Sequence, residues 1–129
     1  MRIFALSNIE AVKGPIPFTK LVVDGVCLLD EFEEQIKNVK QQRSEFTTLV
    51  SYMDLVSQGH LLPEKKYRVI HSTISDVHQF ELKSKHLRIY GFELPDKRVI
   101  VTAGYKRQQD KDIQKFTRLV KEYLESKFV

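Results

Sequence analysis

At 129 residues and 42% hydrophobic content, the chain has apolar material for one core and too little length for two domains of ordinary size. A formal net charge of +4 suits a polyanionic partner without demanding one. The single cysteine, Cys27, excludes an intrachain disulfide; with no signal-type h-region and no apolar run of membrane length, a reducing, soluble compartment, the cytoplasm, is expected, with no membrane partner.

The opening segment reads as an N-terminal arm, residues 1–17, carrying at most one edge strand, because Gly14, Pro15 and Pro17 resist helix and central-strand geometry alike. Residues 18–129 are expected to form a single domain. Lys20 to Val23 is a short β-branched run ending at Asp24-Gly25, a dipeptide suited to a tight turn. Leu29, Phe32, Ile36 and Val39 then recur at helical spacing with acidic residues between them. A second helix is signalled by Ser44 as a candidate N-cap, by Phe46, Leu49, Val50, Met53 and Val56 on one stripe, and by Gly59 at its end. The two should pair as a hairpin, their acidic faces simply solvated.

Beyond Pro63 the period changes. Tyr67 to Ser72, Val77 to Lys83, His86 to Phe92 and Lys97 to Ala103 are short runs rich in Val, Ile, Phe and Tyr, spaced as an antiparallel meander. Alternation puts Phe80, Leu82, Leu87 and Ile89 on a core face and Gln79, Glu81, Lys83, His86, Arg88 and Tyr90 on the other, which is therefore expected to be polar and mostly basic. From about Asp110, Ile113, Phe116, Val120, Tyr123 and Leu124 mark a last helix that should close over an edge or face of the sheet. The fold class expected is α+β: an N-terminal strand and helical hairpin, then a twisted, mainly antiparallel sheet of three to five strands and a C-terminal helix.

Charge is distributed unevenly. Asp24 to Glu64 holds eight acidic residues against three basic ones, whereas Lys83 to Arg107 holds seven basic residues against Glu93 and Asp96. The basic stretch reads either as a surface for RNA or as a solvated sheet edge whose lysines discourage strand pairing. His60, His71, His78 and His86 lack the short paired spacing of a zinc site, so no metal and no cofactor is expected.

Several stretches carry a resemblance: LVVDGVCLLDEFEEQI, the loop GHLLPEKKYRVI, the strand pair HQFELKSKHLRIYGF, and VIVTAGYKRQQDKDIQKFTRLVKEYL. In order and spacing they resemble the RelE/HigB-like superfamily of type II toxins, in particular its phage-derived Gp49-like branch, over about residues 18 to 125. The counterparts of its strand and turn motifs are Glu81-Leu82-Lys83, Arg88-Ile89-Tyr90 and Gly104-Tyr105-Lys106-Arg107. Lys83 departs from the family's usual Arg.

The resemblance implies a ribosome-dependent mRNA endoribonuclease that inhibits translation and is held inactive by a cognate antitoxin of helix-turn-helix type. Such cleavage uses the ribose 2′-hydroxyl as nucleophile and needs no metal; the protein must remove a proton, stabilise charge on phosphorus and protonate the leaving oxygen. On this reading Arg88 binds the phosphate and stabilises the transition state, with Lys83, Lys106 and Arg107 as supporting cations. Imidazole titrates near neutrality, so His86 is a candidate base or acid, or else an ordinary hairpin-end residue; Lys83 or Lys85, crowded by cations, is an alternative base. Lys85, Arg98 and Arg107 are candidate RNA contacts. Tyr90 either stacks on a base or is a half-buried sheet tyrosine. The competing expectations are a non-catalytic RNA- or protein-binding module of the same fold and a phage-derived accessory protein.

Overall fold

A computed structural model describes residues 2–71 and 77–127. The chain is α+β. Strands β1 (Phe4–Asn8) and β2 (Phe18–Val23) precede helices α1 (Leu28–Ile36) and α2 (Lys40–Ser57). Strands β3 (Tyr67–Ile70), β4 (Gln79–Lys83), β5 (Leu87–Leu94) and β6 (Lys97–Tyr105) follow, and a 3-10 turn at Lys106–Gln108 leads into α3 (Gln109–Ser126). The six strands form one sheet in the order β1-β2-β6-β5-β4-β3, antiparallel except for the β2–β6 pair. The sheet exceeds the three to five strands expected because the arm strand β1 pairs antiparallel with β2 and extends it. Ser72, the last residue of the first expected meander strand, lies outside the described residues.

Local chemistry accounts for the boundaries. Asp24 and Gly25 both take positive φ (51° and 82°), the geometry of a two-residue turn that matches strand twist. α2 begins a turn earlier than a Ser44 cap would require, because Lys40-Gln41-Gln42-Arg43 are good helix formers with nothing among them to stop propagation. At its end Gly59 (φ 92°) donates to Val56 O and His60 N donates to Leu55 O, at 2.9 and 3.0 Å, closing the orphan carbonyls in a Schellman motif. Gly91 sits where a Cβ would press on Val99 O, Phe80 and Ile100, beside a bulge that leaves Val101 unpaired.

The sheet has a core on each face. Phe18, Phe80, Leu82, Leu87, Ile89 and Ile100 pack against Leu29, Phe32 and Ile36 of α1 and Phe46, Leu49 and Met53 of α2. On the opposite face Leu21, Tyr90, Phe92, Val99 and Val101 pack against Phe116, Leu119, Val120 and Tyr123 of α3. The expectation of a polar, mostly basic second face is corrected here: much of it is a second apolar core, covered by α3. Its apolar stripe finds partners in Phe92, Val99 and Val101, which strand alternation past the bulge directs to that side.

Candidate nucleic-acid cleft

At the end of the sheet where β4 turns into β5, and where β6 runs into the 3-10 turn, a cleft of about 490 Å³ opens between Gln42 of α2, Lys85 and His86 of the hairpin, and Tyr105, Lys106, Arg107 and Gln109. Its floor is tied together by the backbone: Lys106 N donates to His86 O at 2.8 Å. Tyr105 donates its hydroxyl to Gln42 Oε1 at 3.1 Å, and the Arg107 guanidinium stacks over the Tyr105 ring, 4.5 Å from its centroid.

His86 is held by one carboxylate. Glu45 of α2 accepts a hydrogen bond from His86 N at 2.8 Å and another from Ser84 Oγ at 2.5 Å, both on Oε1, while its Oε2 meets His86 Nδ1 at 2.7 Å. Burial opposes ionisation of Glu45, but the hydrogen bonds from Ser84 and from the ring and backbone of His86, together with the charge the ring carries when protonated, outweigh it and hold the carboxyl below its ordinary range. A carboxylate on Nδ1 leaves Nε2 as the ring nitrogen for proton exchange. The imidazole is half exposed, on the cleft wall.

Of the residues expected to act on RNA, the cleft brings together Lys85, His86, Lys106 and Arg107. The others lie elsewhere. Arg88, expected as the central phosphate ligand, is only 7% exposed; its Nη1 donates to Ser84 O at 2.6 Å and Leu87 O at 2.8 Å. It stands on the face that α3 covers, and its hydrogen bonds go to the hairpin backbone. Lys83, its cross-strand neighbour, is half-buried on that face. Tyr90 is fully buried with its ring 5.6 Å from Phe116, so it has no open face for a base. Arg98 sits at the far end of β6, seven residues or roughly 20 Å of strand from Tyr105, paired with Glu93 at 3.4 Å.

Behind the cleft lies a buried carboxylate paired with a partly exposed arginine. Glu81 of β4 is fully buried, accepts Arg68 Nε at 2.7 Å and receives Gln109 Nε2 on both oxygens at 3.1 and 2.9 Å. Gln109 is thus anchored where α3 begins, as one wall of the cleft. Asp112, one turn on, fills the space that a Cβ at Gly104 would need, and burial pushes its carboxyl above the ordinary value.

Glu45, Gln42, Tyr105 and Gln109 were not foreseen as site residues. Tyr105 had a signal, as the aromatic of the Gly-aromatic-Lys turn; Glu45 reads in sequence as one more acid on a solvated helix face. Among the described residues no group of three or more His, Cys, Asp or Glu side chains is arranged to hold a metal ion, and no helix is long and apolar enough to cross a membrane. The chain matches no family model, no curated protein and no solved structure.

Proposed function

We propose that the chain is the toxin of a type II toxin–antitoxin pair, an endoribonuclease of the RelE/HigB-like kind that cuts mRNA on the ribosome without a metal. The observation that carries this reading is the His86–Glu45 pair on the wall of a cationic cleft. Secondary support comes from topology. A strand followed by the α1–α2 hairpin, the β3–β6 meander and the closing helix α3 come in the order expected from the resemblance, within a larger, six-stranded sheet.

In the proposed reaction His86 Nε2 takes the proton of a ribose 2′-hydroxyl, and the ionised Glu45 stabilises the imidazolium that forms. The 2′-oxygen attacks phosphorus, giving a 2′,3′-cyclic phosphate as the bond to the 5′-oxygen breaks. Lys85 and Arg107 offset the charge gathering on the phosphoryl oxygens, and the Lys106 ammonium gives its proton to the departing 5′-oxygen. Arg88 has no direct part. It holds the hairpin that presents Lys85 and His86.

The burial of Arg88 also favours a second reading, a non-catalytic RNA-binding module of the same fold, since it removes a cation that the resemblance assigns to catalysis. Induced expression in bacteria, with 5′-end mapping of cellular mRNA, separates the two. Growth arrest with new 5′ ends, both lost in His86→Ala, supports the nuclease; salt-sensitive RNA association with no new ends supports the module. Arrest that persists undiminished in His86→Ala would overturn the assigned site.

A further inference from the structure

On the other side of the α3 start, a groove of about 500 Å³ is lined by the cations Lys111, Lys115 and Arg118 of α3, by Arg2 of the arm and by one acid, Asp112. The three helix cations fall at i, i+4 and i+7, so they share one face. Against this groove, sharing Arg2, Lys115 and Leu119 with it, lies a smaller hollow of about 160 Å³ walled by Val23, Val26 and Leu28. An aliphatic pocket thus adjoins a groove in which cations outnumber acids, with Lys111, Lys115 and Arg118 set against Asp112 and with Arg2 paired to Glu122. Val26, in the wall of the hollow, is 42% exposed.

Hydrogen bonds tie this corner of the fold together. Val23 and Val26 exchange both backbone hydrogen bonds across the Asp24-Gly25 turn, at 2.8 and 2.9 Å. Asp24 then fixes the arm: its backbone N donates to Ile3 O at 2.8 Å, and its Oδ1 accepts Ile3 N at 2.8 Å. Arg2, one residue further, reaches Glu122 of α3 at 3.2 Å. The backbone that walls the hollow is therefore tied in place without a partner, which lowers the ordering cost of binding.

We propose that this corner is a docking site for an acidic segment of a partner protein, one that seats an aliphatic side chain against Val26 and Leu119 while its carboxylates meet Lys111, Lys115 and Arg118. A buried anchor inside a polar rim is how protein segments are held. A single-stranded nucleic acid fits the corner less well: none of the lining residues is aromatic, so bases find no stacking platform, and an aliphatic hollow offers a phosphate backbone nothing. The site gives the N-terminal arm a role, and it stands whether or not the His86 cleft cuts RNA.

The test is amide chemical-shift mapping of the isotope-labelled full chain against three probes: a peptide of about a dozen Asp and Glu residues with one central leucine, the same peptide with serine in its place, and a single-stranded RNA of similar length. The leucine peptide is expected to shift amides around Val23 to Leu28 and Lys111 to Leu119. Its affinity should fall about tenfold or more with the serine peptide, with Arg118→Glu and with Val26→Asp, each a surface change whose spectrum checks folding. His86→Ala should leave it unaltered. Equal binding of both peptides, shifts confined to the His86 cleft, or RNA alone moving these amides would each overturn the proposal. Loss of RNA cleavage in His86→Ala with intact peptide binding separates this site from the nuclease reading.

Discussion

Glu45 Oε2 lies 2.7 Å from His86 Nδ1, joining α2 to the β4–β5 hairpin across 41 residues of sequence. The contact does two things at once. It anchors the hairpin against the helix, and it leaves Nε2 of an oriented imidazole for proton transfer beside Lys85, Lys106 and Arg107.

If that imidazole is the base, His86→Ala should slow RNA cleavage by about 10²- to 10⁴-fold, the range for loss of a general acid–base group. Glu45→Gln should give a smaller loss, since it keeps the shape and removes the charge that stabilises imidazolium. Single-turnover cleavage of a labelled message on ribosomes measures both. Equal rates in wild type and His86→Ala would remove the histidine from the mechanism.

Lys106 and Arg107 are exposed cations with no ion-pair partner within 4.0 Å among the described residues. Replacing both by Ala should weaken RNA binding and flatten the plot of log K against log salt by roughly 1.4, about 0.7 for each single-strand phosphate that is no longer neutralised. Fluorescence anisotropy at several salt concentrations gives the slope.

Arg88→Ala is expected to act on stability, unlike Lys106→Ala. It removes charged donors from Ser84 O and Leu87 O, a loss of roughly 2 kcal/mol, while RNA affinity of the folded protein stays close to wild type. Denaturant unfolding run alongside RNA binding distinguishes the two. A large affinity loss at unchanged stability would restore Arg88 to the site.

Two carboxyls make opposite contributions to acid stability. Glu45 has a depressed folded pKa, so its contribution is present above its ordinary value of 4.5 and is lost as pH falls below that through the folded value. Asp112 has a raised folded pKa, so its contribution is complete below 3.8 and is lost as pH rises through the folded value. Asp112→Asn should therefore raise the thermal midpoint at pH 7 and leave it nearly unchanged near pH 3. Glu45→Gln should lower it at pH 7 and flatten its fall in acid.

Phe116→Ala should cost about 3 to 5 kcal/mol, because the ring is fully buried against Tyr90 under α3. Loss of near-ultraviolet dichroism and a lower denaturation midpoint are the expected signs.

Periodicity alone determined much of this protein. Leu29, Phe32 and Ile36 at helical spacing make α1, and alternation through Phe80-Leu82 and Leu87-Ile89 makes the face that packs on the helical hairpin, because a buried stripe must repeat with the period of its backbone. The same alternation put Arg88 and Tyr90 together on the opposite face. What it left open was whether that face meets water, since α3 has an apolar stripe but no local signal of where it lands. Only the tertiary structure laid α3 over Tyr90 and buried Arg88, and only it brought Glu45, on a helix face that reads as solvated, to the ring of His86. Period is a local property of the chain; the cleft is made of contacts between residues far apart along it, and those exist only once two helical layers have closed on the sheet.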